Sequence, residues 1–254
     1  MEPILFILTI IFAGLLFIVC GKKGFRSLGA LVLTIAALVW VVTPLILHGH
    51  SPLLVTFLVS LPVLIAIVYL TEGFTLLSHI SLVAVILNFI LITLLTLFAV
   101  YAGHFTGLVS GDASFLGFTG VDLQQLLAAG IMLGTLGILT EMVVTQVATV
   151  IEFRKASPHA TTKEIYVQSY AVGIVHLGSI INTLFLVYAG VSLPLLIIYA
   201  GGNSSLHAAL DYEPLASEIA RVLVGTIGLI IAMPTSTWLA VWWVGRNTTK
   251  DRNH

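Results

Sequence analysis

Long apolar runs, separated by short polar stretches, follow one another along almost the whole chain. Each run has at least roughly the 20 residues that a helix needs to cross a lipid hydrocarbon core. The pattern predicts an all-α polytopic membrane protein with about seven transmembrane helices in one domain, residues 1–254. The predicted helices are Pro3–Cys20, Leu28–Leu47, Pro52–Leu70, Ile80–Tyr101, Leu123–Ile151, Gln168–Ala200 and Ile219–Val244.

The last three runs are longer than a bilayer requires, which predicts tilt, a break or extension beyond the lipid. Pro194 and Pro234 lie inside two of them. Proline lacks the amide hydrogen that continues a helix, so these two positions are the predicted kinks.

The composition agrees with a membrane protein and excludes other classes. Hydrophobic residues make up 59% of the 254 residues, charged residues 8%, and the mean hydropathy is +1.13. Soluble domains carry about 25% charged residues. The formal net charge of −1 excludes a basic nucleic-acid-binding protein. The single cysteine, Cys20, forms neither an intrachain disulfide nor a metal motif.

The positions of lysine and arginine predict the orientation of the chain in the membrane. Basic clusters occur in residues 22–26, 154–163 and 246–252, whereas residues 48–51, 103–120 and 201–218 contain no Lys or Arg. Because cytoplasmic loops carry the excess of positive charge, the N-terminus is predicted outside and the C-terminus in the cytoplasm. Residues 1–27 then contain an additional helix and a basic cytoplasmic loop, and residues 246–254 a basic cytoplasmic tail.

The fifth predicted helix carries a stripe of glycine and polar residues along one face. Its members recur at spacings of four and three, which places them on the same side of a helix. Glycines at this spacing let a neighbouring helix approach closely, so the first half is predicted to be a packing face. The stripe comprises Gly130, Gly134, Gly137, Glu141, Thr145, Ala148 and Glu152.

Glu141 is an ionisable residue in the middle of a predicted membrane helix, where a charge is unfavourable. A charged carboxylate at the centre of a membrane helix costs about 2.5–3.5 kcal/mol on insertion scales. Lys and Arg are absent from membrane depth, apart from Arg221 near the outer start of the last helix. Without a nearby cation, removal from water favours the protonated acid. Glu141 is therefore the predicted proton-relay residue.

The sixth predicted helix brings further polar side chains into the membrane: His176, Ser179, Asn182 and Thr183. Together with Thr145, they are predicted to orient Glu141 or to line a path to it. His176 could exchange a proton with Glu141 because imidazole titrates near neutral pH.

Structural roles remain open for the same residues. An isolated glutamate also serves to hydrogen-bond a neighbouring helix, and a single histidine among apolar residues is more often a satisfied core residue. Asn182 and Thr183 also fit interhelical hydrogen bonding. The histidines at positions 48, 50, 104 and 207 match no metal-site spacing, so no metal and no cofactor are predicted.

Catalytic motifs are absent from the sequence, which contains no G-x-S-x-G, H-E-x-x-H or phosphate-binding G-x-x-x-x-G-K-[ST] pattern. We therefore expect a protein that is not an enzyme. An intramembrane enzyme acting on a lipid-linked substrate remains an alternative, as does a scaffold without catalytic function.

Three segments resemble the YibE/F family of bacterial multi-pass membrane proteins: "DLQQLLAAGIMLGTLGILTEMVVTQVATVIEF", "GIVHLGSIINTLFLVYAGVSLPLLII" and "SEIARVLVGTIGLIIAMPTSTWLA". Glu141 stands where that family usually has an aspartate. The stretch from Asn182 to Ala189 matches the family's N-T-L-x-L-A-Y motif apart from Val187. Ile174 and Val175 depart from the family, which usually has a basic and an acidic residue there.

The resemblance implies a location in the bacterial cytoplasmic membrane and a partner. The chain is similar to short family members that accompany a longer one, which implies a hetero-oligomer with a longer YibE-like subunit, or a homodimer, with the glycine face as the seam.

A more distant likeness to half of a resistance-nodulation-division permease, including the SecF half of the export motor, implies a six-helix permease-like bundle over residues 28–245. The function expected is a subunit of a proton-coupled transporter or export complex; the alternative is a scaffold for the longer subunit.

Overall fold

The computed structural model describes residues 2–109, 115–201 and 211–251. Within these ranges the chain contains helices and no strand, which confirms the prediction of an all-α protein. The helices are α1 (Glu2–Ala37), a π-helical segment (Leu38–Val42), α2 (Thr43–Leu47), α3 (Pro52–Glu72), α4 (Leu76–Ala102), α5 (Leu123–Ala156), α6 (Thr162–Val191), α7 (Leu193–Gly201) and α8 (Glu213–Asp251).

Six helical stretches of the described chain are long and apolar enough to cross a membrane. All seven predicted runs are helical, but the first two are joined in one stretch, Pro3–Leu47, of 45 residues. The predicted loop between them, "GKKGFRS", is reduced to a bend: its first residue, Gly21, has a non-helical backbone at which two helices meet.

The chain turns sharply inside this first stretch, at Gly21. Gly21 has φ 55° and ψ −131°, a conformation that glycine adopts without steric cost. In a straight helix, Gly24 would lie about 12 Å along the axis from Leu16. Instead, a Cβ at Gly24 would collide with the Leu16 carbonyl. The two apolar halves of α1 are therefore separated by a bend.

The π-helical segment, Leu38–Val42, is a feature that the hydropathy pattern did not predict. Pro44 follows it, and its ring removes the amide that would bond to the carbonyl of Trp40. The turn widens accordingly: the Leu38 carbonyl accepts a hydrogen bond from the Thr43 hydroxyl at 2.9 Å and another from the Thr43 amide. Proline thus accounts for the wider turn.

The helix is broken at one of the two predicted proline kinks, and a bend without a break at the other remains a prediction. The helix breaks near Pro194, since α6 ends at Val191 and α7 begins at Leu193. Pro234, in contrast, lies inside α8, which continues past it to Asp251. Its flanking turns contain Thr235 and Thr237, whose hydroxyls donate to the carbonyls of the preceding turn.

Helix α5 lies at the centre of the bundle and packs against α3, α4, α6 and α8. Its buried side is mostly apolar, with Met132, Leu139 and Val143 in the core. Close approach of α4 and α8 depends on Gly228, where a Cβ would lie 2.6 Å from Ile92. Close van der Waals packing at such glycines holds membrane helices together, because in lipid there is no hydrophobic driving force for their association.

The basic clusters lie at ends of the helices. Lys23 Nζ lies 3.9 Å from a carboxylate oxygen of Glu72, at the end of α3. Arg154 donates at 2.8 Å to the carbonyl of Ala160, in the connection between α5 and α6. The predicted orientation across the membrane remains a prediction. Position 207, named in the sequence analysis, and the last three residues of the basic tail, 252–254, lie outside the described residues.

Candidate functional site

Glu141 lies near the middle of α5, about 27 Å along the helix from Leu123. Its neighbours Met142 and Val143 are buried in the bundle, whereas Glu141 is exposed on the opposite side of the helix. At this depth exposure means contact with lipid or with the contents of a cavity.

The Glu141 side chain lines a cavity of about 320 Å³, which we call the Glu141 cavity. One wall is α5; α1 with the π-helical segment and α3 form the others. The lining residues are Thr34, Ala37, Leu38, Val42, Val59, Ser60, Val63, Leu64, Ile67, Leu133, Leu136, Gly137, Thr140 and Glu141.

Four polar side chains face this cavity, and two of them are already satisfied. The Thr34 hydroxyl donates to the Ala30 carbonyl at 2.9 Å, and the Thr140 hydroxyl to the Leu136 carbonyl at 2.8 Å. Ser60 is only 6% exposed and, within the described ranges, its hydroxyl makes no hydrogen bond. Glu141 also has neither a hydrogen bond nor an ion pair with any described residue.

No lysine or arginine lines the Glu141 cavity. Arg221 is 19% exposed and lies elsewhere, with its Nε 3.5 Å from a carboxylate oxygen of Glu218 and its guanidinium carbon 5.9 Å from the centre of the Tyr188 ring. It approaches α5 at Gly134, seven residues and about 10 Å before Glu141. Arg221 is therefore engaged with other groups.

The predicted packing face divides into two parts. A Cβ at Gly130 would lie 3.5 Å from Arg221 Nη1, and a Cβ at Gly134 would lie 2.7 Å from the hydroxyl of Tyr188. These two glycines therefore make room for side chains of α8 and α6 in the same chain. Gly137 has no atom within 4 Å of its Cβ position and lines the Glu141 cavity.

The polar residues of α6 do not line the Glu141 cavity. His176 is half-buried and its Nε2 is buried without a partner in the described chain. Ser179, Asn182 and Thr183 are exposed, and the Thr183 hydroxyl donates to the Ser179 carbonyl at 3.0 Å. Thr145 is exposed on the same face of α5 as Glu141, one turn further on, but also lies outside the cavity.

A buried polar contact escaped the sequence analysis. Gln146 is 1% exposed and donates from Nε2 to the Ser169 carbonyl at 2.9 Å and to the Thr237 hydroxyl at 2.7 Å. Gly173 leaves room for it, because a Cβ there would lie 2.6 Å from Gln146 Oε1. The sequence did offer a clue to both Gln146 and Ser60, because each is a polar residue within an apolar run. A polar side chain at membrane depth needs a hydrogen-bond partner or a cavity.

The site can therefore hold a proton or a small ligand at the carboxyl group of Glu141. Apart from Glu141, Thr34, Ser60 and Thr140, the residues that line the cavity are apolar.

The profile of the YibE/F-like protein family matches residues 8–246 of the chain. This range includes Glu141 and every described helix that contributes to its cavity. No curated protein and no solved structure matches the chain. With nearly its whole length matched, including the bundle and the cavity, the chain belongs to the YibE/F-like family of membrane proteins.

Proposed function

We propose that this chain is a subunit of a proton-coupled transporter or export complex of the bacterial cytoplasmic membrane, and that Glu141 takes up and releases the coupling proton. The observation that carries this proposal is the position of Glu141. It is a carboxyl group at mid-helix, facing a cavity of about 320 Å³, with no ion-pair partner among the described residues.

The proposed mechanism follows from the cost of the charge. An ionised Glu141 needs water or a cation in the cavity, whereas the protonated acid tolerates an apolar environment. Proton uptake therefore shifts the population towards an arrangement in which the cavity is closed to water. The movable wall is proposed to be the α1 wall at Leu38–Val42, because π-helical turns often occur at functional sites.

Carbodiimide labelling tests the proton site. Hydrophobic carbodiimides react with protonated carboxyl groups, and the adduct is located by mass spectrometry of protein in lipid. We expect labelling of Glu141 that falls as the pH rises. Glu152 is the matched reference on the same helix, because it is exposed at the helix end and paired with Lys155 at 2.8 Å. A reagent-accessible Glu141 that is not labelled at any pH would contradict the proposal.

A second candidate, a scaffold for a longer YibE-like subunit, is favoured by Asn182. Its amide is exposed on a membrane-spanning helix and has no hydrogen bond with any described residue. A polar group facing lipid is costly, so a companion helix would be the natural partner.

The scaffold role is tested by Asn182→Leu, with Val175→Leu at an exposed apolar position of α6 as control. If the scaffold is correct, Asn182→Leu weakens co-purification with the longer subunit about threefold, the equivalent of one interhelical hydrogen bond of about 0.6 kcal/mol. Val175→Leu and Glu141→Gln then have no effect on association. Normal association of Asn182→Leu would exclude this role of the amide.

A further inference from the structure

Two polar groups without partners face the Glu141 cavity from different helices. The carboxyl group of Glu141 comes from α5, and the hydroxyl of Ser60 comes from α3. Ser60 is 6% exposed, so its hydroxyl has little other space to reach. Neither residue has a hydrogen bond within the described part of the chain. At membrane depth a polar group without a partner is costly whether it faces lipid or an apolar cavity, which indicates that something polar enters the cavity.

The rest of the cavity is apolar apart from Thr34 and Thr140, whose hydroxyls donate within their own helices. Val59, Val63 and Ile67 of α3 lie on one side, and Ala37, Leu38 and Val42 lie on the α1 side. Its volume of about 320 Å³ is at the lower end of the 300–1,000 Å³ that is typical for small-molecule sites. A site of this kind takes a compact ligand with one polar end and one apolar end.

The charge of the polar end follows from Glu141. An ionised carboxylate in this cavity is stabilised by water or by a positive charge close by, and no Lys or Arg lines the cavity to supply that charge. The hydroxyl of Ser60 can accept a hydrogen bond from the same head group. A primary ammonium group has three N–H donors, which is enough to donate to both a carboxylate and a hydroxyl.

We propose that the Glu141 cavity binds a small amphipathic organic ammonium ion, with the ammonium group between Glu141 and Ser60 and the apolar body against α1 and α3. This rests on the proposed function, since both use Glu141. Binding of the cation and binding of the proton exclude each other at one carboxylate. Each cation bound to the protonated protein therefore releases one proton, which gives exchange of an organic cation for a proton.

The test uses 2-phenylethylammonium as the probe and propylbenzene as its neutral isostere. The measured quantity is the rate at which dicyclohexylcarbodiimide modifies Glu141 in the full-length protein in lipid. We expect saturating 2-phenylethylammonium to slow the modification at least tenfold and propylbenzene to leave it unchanged. Modification of Glu152, outside the cavity, serves as the internal reference and stays constant.

Two variants locate the site. Ser60→Ala should raise the concentration for half-protection about fivefold, the ratio expected for one hydrogen bond. Thr145→Val is the matched control, because Thr145 lies on the same face of α5 but does not line the cavity. If both variants change the concentration for half-protection equally, or if Ser60→Ala does not change it, the Ser60 hydroxyl does not bind the ammonium group.

The outcomes separate this proposal from the proton site. If Glu141 labelling depends on pH but 2-phenylethylammonium protects no better than propylbenzene, the cation site is wrong and the proton site stands. If Glu141 is never labelled, calorimetric titration with 2-phenylethylammonium decides: binding lost in Glu141→Gln supports a cation site without a proton role. Equal binding to Glu141→Gln, or no binding, overturns the cation site, and a basic side chain of a second subunit becomes the expected partner.

Discussion

Gly173 of α6 lies directly against the side chain of Gln146 in α5, and its replacement by alanine is a sharp test of the packing. A Cβ at Gly173 would lie 2.6 Å from Gln146 Oε1 and 3.0 Å from its Nε2. Gln146 is 1% exposed, so its amide cannot turn out to the surface to make room. Gly173→Ala must therefore disturb the hydrogen bonds of Gln146 to the Ser169 carbonyl and the Thr237 hydroxyl.

The magnitude follows from two effects. Two interhelical hydrogen bonds of about 0.6 kcal/mol each amount to roughly 1 kcal/mol. An extra methyl group in a close-packed core costs about 1–3 kcal/mol in addition. Gly178→Ala is the matched control, because it is in the same helix and has nothing within 4 Å of its Cβ position. We expect Gly173→Ala to be less stable than Gly178→Ala by about 2–4 kcal/mol.

The assay is reversible unfolding by sodium dodecyl sulfate in mixed micelles. The difference between Gly173→Ala and Gly178→Ala cancels the gain in helix propensity, which both replacements share. Repeating the pair in a Gln146→Ala background should remove most of the difference, because the colliding amide is gone. Equal stability of Gly173→Ala and Gly178→Ala would refute the steric argument, and so would a difference that persists without the amide.

Three further predictions concern other contacts. Gly134→Ala should cost about 1–2 kcal/mol of unfolding free energy, because its Cβ would lie 2.7 Å from the Tyr188 hydroxyl; Tyr188→Phe should recover most of the loss, and no recovery would contradict the contact. Glu213→Ala should accelerate hydrogen exchange of the Thr106 amide at least tenfold, because that amide donates to the Glu213 carboxylate at 2.7 Å; unchanged exchange would contradict this. Glu141→Gln should leave unfolding within about 0.5 kcal/mol and abolish proton-coupled activity, so retained activity would disprove the proton role.

The fold was largely predictable because one physical constraint dominates it. Every membrane-crossing segment must satisfy its own backbone and present apolar side chains, so runs of about 20 apolar residues mark the helices directly. The replacement of the predicted first loop by a sharp bend was not predictable from hydropathy, since the bend depends on the backbone of Gly21 and on the approach of Gly24 to Leu16. The π-helical segment depends likewise on how Pro44 is accommodated.

The candidate site was predictable only as far as a single helix allows. Spacing places Glu141 and the glycines on one face of α5, but it does not tell which helix lies opposite that face. The structure places α1 and α3 around the cavity of Glu141, and Arg221 beside Gly130. Ser60 is part of no sequence motif, so its position in the lining of the Glu141 cavity could be found only from the packing of the helices.

The central claim, that Glu141 changes its protonation state in the membrane, is tested most directly by infrared difference spectroscopy. Spectra of the protein in lipid are recorded across a pH series for the unmodified chain, Glu141→Gln and Glu152→Gln. We predict a protonated-carboxyl band that weakens as the pH rises, is absent in Glu141→Gln and is retained in Glu152→Gln. A band that is unchanged in Glu141→Gln, or a Glu141 that stays ionised at every pH tested, would contradict the account.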